Sequence, residues 1–215
     1  MICVSMDEYY NINYIKSLNY IYFVEIRMDQ MVLNSEDIAK IFSQSVTLIA
    51  TCRPGTLDDK KRKEYLIAAI EAGAEYVDLE VESGNAYKQE IIHTAKARGC
   101  KVIISFHDYE KTPADERLKD IVCLCFSEGA DIAKIACKAN SNTDSARLLG
   151  LLGQEAFKDR LVVVGMGEKG KITRVVAPFL GSPFTYASFE EGKQTAEGQI
   201  EKARLEEIMG LLEHV

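Results

Sequence analysis

Short apolar runs rich in β-branched residues recur along the chain and alternate with longer, more polar stretches. Each run has the length and composition of a buried strand, and the stretches between the runs are long enough for a helix. We predict eight strands, at 2–6, 20–27, 46–52, 76–80, 101–107, 131–136, 160–166 and 182–188. Regular alternation of strands and helices favours parallel strands joined by helical crossovers.

The intervening stretches indicate one domain that covers residues 1–215. Two of them, 58–72 and 142–158, have helical periodicity, with Asp58 and Asn142 as predicted N-caps. No linker rich in Pro, Gly or Ser divides the chain. Eight such units close naturally into a (β/α)₈ TIM barrel of the α/β class, and an open doubly wound sheet is the competing topology.

The seventh predicted strand runs into the sequence GMGEKG, whose glycines are Gly165, Gly167 and Gly170. A GxGxxG pattern after a strand is typical of a dinucleotide site, and Glu190 follows at about the spacing of a ribose ligand. However, that fingerprint belongs on the first strand of a nucleotide-binding half, and only one predicted strand follows Gly170. A phosphate site stays open as an alternative, because barrels often bind phosphate after strands seven and eight.

Composition narrows the possible partners. The chain has 215 residues, 47% of them hydrophobic, with a net charge of −7 and no long basic run. We therefore expect neither nucleic acid nor an anionic membrane as a partner. No apolar stretch reaches the roughly 18 residues of a membrane-spanning helix, and the N-terminus lacks the basic region of a signal peptide. The six cysteines show no metal-binding spacing, which favours reduced thiols in the cytoplasm.

Most predicted strands carry a functional group at or near their carboxyl ends, where barrel enzymes place their chemistry. These residues are Ser5, Glu25, Arg27, Thr51, Arg53, Asp78, Glu80, Ser105, His107, Lys134, Met166 and, just after its strand, Arg174. So many in one chain predict a polar pocket at one rim of the barrel.

Lys134 and His107 are the candidate reactive groups. Lys134 has apolar neighbours on both sides, and a closed barrel has no edge on which it would serve to block aggregation. An amine desolvated in a barrel mouth can act as a neutral nucleophile and form a Schiff base with a ketone. His107, on the preceding strand, could transfer the protons that this chemistry needs. The structural alternatives are a lysine whose amine reaches solvent and a hydrogen-bonded core histidine.

Arg27, Arg53 and Arg174 could form one cationic cluster. Two interpretations stay open: ion pairs with nearby acids such as Glu25 and Glu80, or binding of the carboxylate of a substrate.

Several motifs in the right order resemble the type I 3-dehydroquinate dehydratase family. They are EIRMD at 25–29, TCRP at 51–54, DLEV at 78–81, VIISFHD at 102–108, DIAKIA at 131–136, MGEKGKITR at 166–174, GSPFTY at 181–186 and TAEGQI at 195–200. The resemblance implies a (β/α)₈ barrel, a homodimer, and dehydration of 3-dehydroquinate to 3-dehydroshikimate by syn elimination in the shikimate pathway. It also implies that no metal or organic cofactor is needed.

The resemblance assigns roles residue by residue. Lys134 corresponds to the Schiff-base lysine and His107 to the catalytic histidine, while Arg174 matches the residue that clamps the substrate carboxylate. The remaining substrate-contacting positions are matched by Glu25, Arg27, Arg53, Thr195 and Gln199, with Ser5 and Met166 as weaker matches.

The chain departs from the family pattern in three places. Pro-Gly-Thr-Leu follows Arg53 where many members have an acid and two glycines, Phe106 precedes the histidine where a polar residue is common, and Thr195 and Glu197 replace the usual serine and a common proline. Two other functions remain as alternatives. One is a lysine-imine aldolase acting on a phosphorylated sugar, and the other is a barrel that binds a small anion without catalysis.

Overall fold

The protein folds as one sheet of eight parallel strands in a computed structural model, which describes residues 1–8 and 22–213. The strands are β1 (Ile2–Met6), β2 (Phe23–Arg27), β3 (Thr47–Thr51), β4 (Tyr76–Glu80), β5 (Lys101–Asp108), β6 (Ile132–Lys138), β7 (Leu161–Met166) and β8 (Thr185–Ser188). Each overlaps a predicted strand, although positions 20 and 21 of the second lie outside the described residues.

The strand order closes the sheet into a barrel. From β1 to β7 each strand pairs with the next in sequence, and β8 pairs with β1. β7 and β8, at the two ends of the hydrogen-bonded order, lie next to each other and leave the barrel nearly closed. A doubly wound sheet would reverse its strand order at a switch point. The predicted (β/α)₈ architecture is therefore confirmed.

The helices lie between the strands, as parallel crossovers require. Those described are α1 (Ser35–Phe42), α2 (Asp59–Ala72), α3 (Asn85–Arg98), α4 (Asp115–Ser127), α5 (Asn142–Gly150), α6 (Lys171–Val176) and α7 (Lys202–Glu213). The prediction for α2 is confirmed: Asp58 is the N-cap, and its side chain accepts a hydrogen bond from the backbone N–H of Lys61.

The prediction for α5 is wrong at both ends. The N-cap is Ser141, which forms a capping box with Asp144: each side chain accepts a hydrogen bond from the other residue's backbone N–H. This reciprocal pair satisfies two free amides, which Asn142 cannot do one position later. The helix ends at Gly150 and gives way to 3₁₀ turns at Leu151–Gly153 and Glu155–Phe157.

The barrel interior divides into an apolar lower part and a polar upper part. Phe23, Tyr76, Phe184 and Tyr186 form a chain of ring contacts, with centroids 5.0 to 6.4 Å apart, inside a cluster that also contains buried aliphatic residues. Side chains two positions further along a strand point to the same face. The polar side chains at the carboxyl ends of the strands therefore lie in a layer directly above these packed aromatic rings, which form the floor of the polar layer.

The cysteines of the protein form no disulfide bonds. All six cysteines are free, and five of them are buried. Across residues 1–8 and 22–213, no helix combines the length and the apolar character that a membrane span requires. The same residues contain no cluster of three or more His, Cys, Asp or Glu side chains arranged to hold a metal ion.

The glycines of GMGEKG serve packing at the end of β7. A Cβ on Gly165 would lie 2.7 Å from the Cα of Gly170, so the two backbones touch. The three N–H groups are also engaged within the chain: Gly165 donates to Thr173 Oγ1, Gly170 to the carbonyl of Gly167, and Gly167 to the carbonyl of Glu197. A phosphate cradle needs backbone amides that point at the ligand. This arrangement argues against both the dinucleotide and the phosphate interpretation.

We expect Gly165→Ala to lower the free energy of unfolding by about 1–3 kcal/mol, the range for overpacking a filled site. Urea denaturation measures this directly. Gly150→Ala is the matched control, because a Cβ there meets nothing within 4 Å and the residue has helical backbone angles. The control should be neutral or stabilising. Equal stability of the two variants would contradict the close contact between Gly165 and Gly170.

Candidate active site

A cavity of about 200 Å³ opens at the carboxyl ends of the strands. Nine of the ten site residues predicted from the sequence line it: Glu25, Arg27, Arg53, His107, Lys134, Met166, Arg174, Thr195 and Gln199. Ser5 is the exception. It is buried behind Glu25, and its hydroxyl donates to Glu25 Oε2 at 2.5 Å.

Glu25 is a carboxylate fixed by its neighbours. Besides the bond from Ser5, the hydroxyl of Thr51 donates to its other oxygen at 3.1 Å. Burial opposes ionisation of this group, but the positive charges of Lys134 and Arg53 hold its pKa below the usual value. Glu25 therefore presents a hydrogen-bond acceptor to the cavity from a fixed position.

Asp78 and Arg53 form the centre of the buried charge network. Arg53 binds both carboxylate oxygens of Asp78, at 2.9 and 2.7 Å, and also contacts Glu80 and the hydroxyl of Ser105. Asp78 is fully buried, which opposes its ionisation, but Arg53 and Lys134 hold its pKa well below the usual value. A bidentate pair of this kind fixes orientation as well as charge.

Lys134 projects from β6 into the same network. It pairs in register with Ser105 of β5, and its side chain is 6% exposed. Nζ lies 3.0 Å from Asp78 Oδ2, 3.4 Å from Glu25 Oε1 and 4.1 Å from the ring centroid of Tyr186. The amine therefore stands at the floor of the cavity, where a carbonyl carbon could approach it.

His107 stands two positions beyond Ser105 on β5 and therefore points to the same side as Lys134. Its ring stacks on that of Tyr109, with centroids 6.0 Å apart and planes inclined by 13°. Burial, followed by the charges of Arg53 and Lys134, lowers the pKa of His107 well below its usual 6.5. The imidazole is thus neutral at neutral pH and able to accept a proton.

Arg174 is a buried cation of the cavity that is held by backbone carbonyls. It sits on α6, is fully buried, and donates to the backbone carbonyls of Tyr186 at 3.2 Å and Glu197 at 3.3 Å. Its Nε has no hydrogen-bond partner, and among the described residues no carboxylate forms an ion pair with it. Burial lowers its pKa to about 10. A buried guanidinium of this kind is suited to binding an anion.

Arg27, Thr195 and Gln199 complete the rim. Arg27 binds Asp29 through two nitrogens, at 3.0 and 2.7 Å. Gln199 Oε1 accepts hydrogen bonds from the backbone N–H groups of Thr195 at 2.8 Å and Ala196 at 3.3 Å. Thr195, through its hydroxyl, and Gln199, through its side-chain amide, line the cavity from the segment that follows β8.

Several cavity residues were not chosen from the sequence. Tyr186 is buried beneath Lys134, and Lys138 lies four positions beyond Lys134 on the same face of β6. A two-residue strand period applied to the whole of β6 and β8 would have found both. Asp78 was predicted only as one of the polar strand ends, whereas in the structure it contacts both Arg53 and Lys134.

A nearly closed parallel barrel with buried acidic, basic and amine groups at its strand ends defines a class, the (β/α)₈-barrel enzymes whose active sites occupy that rim. The model of the type I 3-dehydroquinase family matches residues 2–215, and the chain belongs to that family. It is 36% identical over 197 residues to the 3-dehydroquinate dehydratase of Methanocaldococcus jannaschii, covering 88% of this chain and 87% of the relative.

Solved structures agree with this assignment. The 3-dehydroquinate dehydratase of Aquifex aeolicus is similar with a TM-score of 0.81 at 31% identity, covering 100% of this chain and 98% of that one. The type I enzyme of Clostridium difficile gives a TM-score of 0.87 at 24% identity, covering 99% and 92%. At that identity, the second likeness supports the fold alone.

We expect an NMR titration to place the midpoint of the His107 imidazole below 6.5, the usual histidine value, because burial and two cations disfavour its charged form. Comparison with the His107→Gln variant identifies the resonance. A midpoint at or above 6.5 would contradict the environment described for this residue.

Proposed function

We propose that the protein dehydrates 3-dehydroquinate to 3-dehydroshikimate, a step of the shikimate pathway, with Lys134 as the amine that forms the Schiff base. Family membership supports the reaction and its imine mechanism. The observation that carries the residue assignment is the placement of two groups in one cavity: a buried amine on β6 and the buried, carboxylate-free guanidinium of Arg174. The substrate has a ketone for the first and a carboxylate for the second.

Lys134 starts as a protonated amine beside Asp78 and Glu25 and must give up one proton to attack the ketone carbon. That proton goes to the carbinolamine oxygen as it leaves, so ammonium and ketone together give a protonated imine and one water. The imine withdraws electrons from the adjacent carbon, and His107 takes the proton from that carbon to leave an enamine. The enamine expels the hydroxyl group β to the former carbonyl. His107 returns its proton to that oxygen, so a second water leaves. Hydrolysis of the imine consumes one water and regenerates the amine.

The charged walls of the cavity supply binding and orientation. Arg174 is expected to hold the carboxylate of the substrate, since its Nε has no partner and its other contacts within the described part of the chain are backbone carbonyls. Glu25, Arg27 and Gln199 offer an acceptor and donors to the ring hydroxyls, while Met166 contributes an apolar contact. A polyhydroxylated ring needs several such directional contacts.

Arg53 has a different setting from the one expected from the family pattern. The segment after it carries no acid until Asp58, but Asp78 and Glu80 reach the guanidinium from β4. We propose that these two carboxylates fix Arg53 at the cavity wall, and that its exposed edge contacts substrate. Ser5 acts one layer further out, by orienting Glu25.

The assembly state and location remain predictions. We expect a homodimer in the cytoplasm, from the family resemblance, and the six free thiols fit a reducing compartment. Light scattering of the purified protein measures the mass directly, and a monomer at assay concentration would contradict the dimer.

We predict that Lys134→Met lowers the dehydration rate on the order of a thousand-fold or more, because it removes the nucleophile itself. Appearance of the conjugated product is followed by its ultraviolet absorbance. Lys138→Met serves as the matched control, since it removes an amine from the same face of the same strand without removing the Lys134 nucleophile. Comparable losses in the two variants would contradict a covalent role specific to Lys134.

Arg174→Gln should raise the KM for 3-dehydroquinate roughly 30-fold or more, because losing one partner of a buried charge pair costs about 2–5 kcal/mol. A substrate analogue lacking the carboxylate should bind the wild type and the variant with similar, weak affinity. Added inorganic phosphate should not compete with the substrate. An unaltered KM in the variant would rule out the carboxylate contact, and competitive inhibition by phosphate would favour the aldolase alternative.

A further inference from the structure

The segment between β8 and α7, residues 189–201, lies over one side of the cavity. Thr195, Ala196, Glu197 and Gln199 of this β8–α7 loop all line the pocket. The loop contains two of the proposed substrate contacts, so its position relative to the barrel determines whether the site is complete.

The end of this loop is a compact unit. Gln199 Oε1 accepts from two backbone N–H groups of the same turn, and Gln199 Nε2 donates to Thr195 Oγ1 at 3.1 Å. Gly198 has a φ of +79°, and a Cβ there would lie 2.6 Å from the carbonyl oxygen of Gly167. Residues 195–199 therefore hold their own shape and dock tightly against the end of β7.

Glu197 joins this unit to three separate elements. Its backbone carbonyl accepts from Gly167 N at 3.2 Å and from Arg174 Nη2 at 3.3 Å. Its carboxylate forms an ion pair with Nζ of Lys138, the last residue of β6. The first two contacts are made by the backbone carbonyl at position 197, so any residue there could form them. The ion pair requires the side chains of both Lys138 and Glu197.

We infer that the Lys138–Glu197 ion pair is a positioning device that holds the β8–α7 loop closed over the cavity and so favours substrate binding. The closure of the loop is inferred from geometry alone. Its effect on substrate binding and turnover rests on the proposed function. Lys138 and Glu197 are positioning residues here, because they act through Thr195, Gln199 and Arg174.

The exposure of the pair suits a contact that opens and closes. The Glu197 side chain is 65% exposed and that of Lys138 is 25% exposed. Ion pairs in such settings are weak and are screened by salt. A weak ion pair shifts the equilibrium between the open and the closed loop without preventing the entry of substrate or the release of product.

Limited proteolysis tests the closure independently of activity. Lys193 lies in the loop with its side chain 47% exposed, so trypsin cleavage after it reports how often the loop opens. We expect Glu197→Gln and Lys138→Met each to speed this cleavage by roughly two- to five-fold, the size of an exposed ion pair. The double variant should be no faster than either single one, because both changes break the same contact. Lys138→Arg, which keeps the charge, should stay close to the wild type.

The same variants should raise the KM for 3-dehydroquinate by a similar factor and leave kcat within about two-fold, since the pair makes no contact with the reacting atoms. Glu168→Gln is the control: it breaks an exposed pair with Lys171 near the same rim but outside the cavity, and should change neither readout.

Cleavage of Glu197→Gln at the wild-type rate would overturn the inference, as would additive effects in the double variant. If the protein proves inactive on 3-dehydroquinate, the proposed function fails, while the cleavage rates still decide whether the ion pair closes the loop.

Discussion

The upper half of the barrel depends on one buried interaction, the contact of Asp78 with Arg53 on one side and Lys134 on the other. A carboxylate without solvent access survives as an ion only if it is paired and hydrogen-bonded. Asp78 meets both conditions, since Arg53 binds it through two nitrogens and Ser105 donates to it at 2.6 Å. The aromatic floor below excludes water from this layer. Removing Asp78 would take away the carboxylate that Arg53 and Lys134 share at 2.7 and 3.0 Å, and Glu25 would contact both cations only at 3.9 and 3.4 Å.

The ion pairs of the buried cations explain how the cavity can bind an anion at one defined position. Arg53, Lys134 and Arg27 all have acidic partners in the described part of the chain, whereas the contacts of Arg174 are backbone carbonyls. The attraction for an anion is therefore concentrated at the side of the pocket where Arg174 lies. A carboxylate bound there would orient the rest of a ring toward Lys134 and His107. The amine of Lys134 and the imidazole of His107 are carried by adjacent strands, so the position of one relative to the other is set by the register of β5 and β6.

Much of the fold could be predicted from the sequence because most of the buried strands are short apolar runs with a polar residue at or near the carboxyl end. The same alternation placed Glu25, Arg27, Arg53, His107, Lys134 and Met166 around one cavity, whereas Thr195 and Gln199 were predicted from the family resemblance alone. What the pattern could not supply were contacts between residues far apart in the chain. The position of Ser5 behind Glu25 depends on the register of β1 and β2, and the ion pair of Lys138 with Glu197 joins residues separated by 59 positions. The N-cap of α5 was misplaced by one residue, because neighbouring Ser141 and Asn142 are both good caps and only the partner Asp144 distinguishes them.

The proposed mechanism requires that Lys134, alone among the lysines, becomes covalently bound to substrate. Borohydride reduction of the wild-type protein during turnover with 3-dehydroquinate would make the imine permanent, and mass spectrometry of the peptides would locate it. The account predicts one substrate-derived adduct per chain, on the peptide that contains Lys134, with more of it trapped in His107→Ala, where the imine should accumulate. A turning-over enzyme that yields no adduct, or an adduct on Lys138 instead, would contradict it.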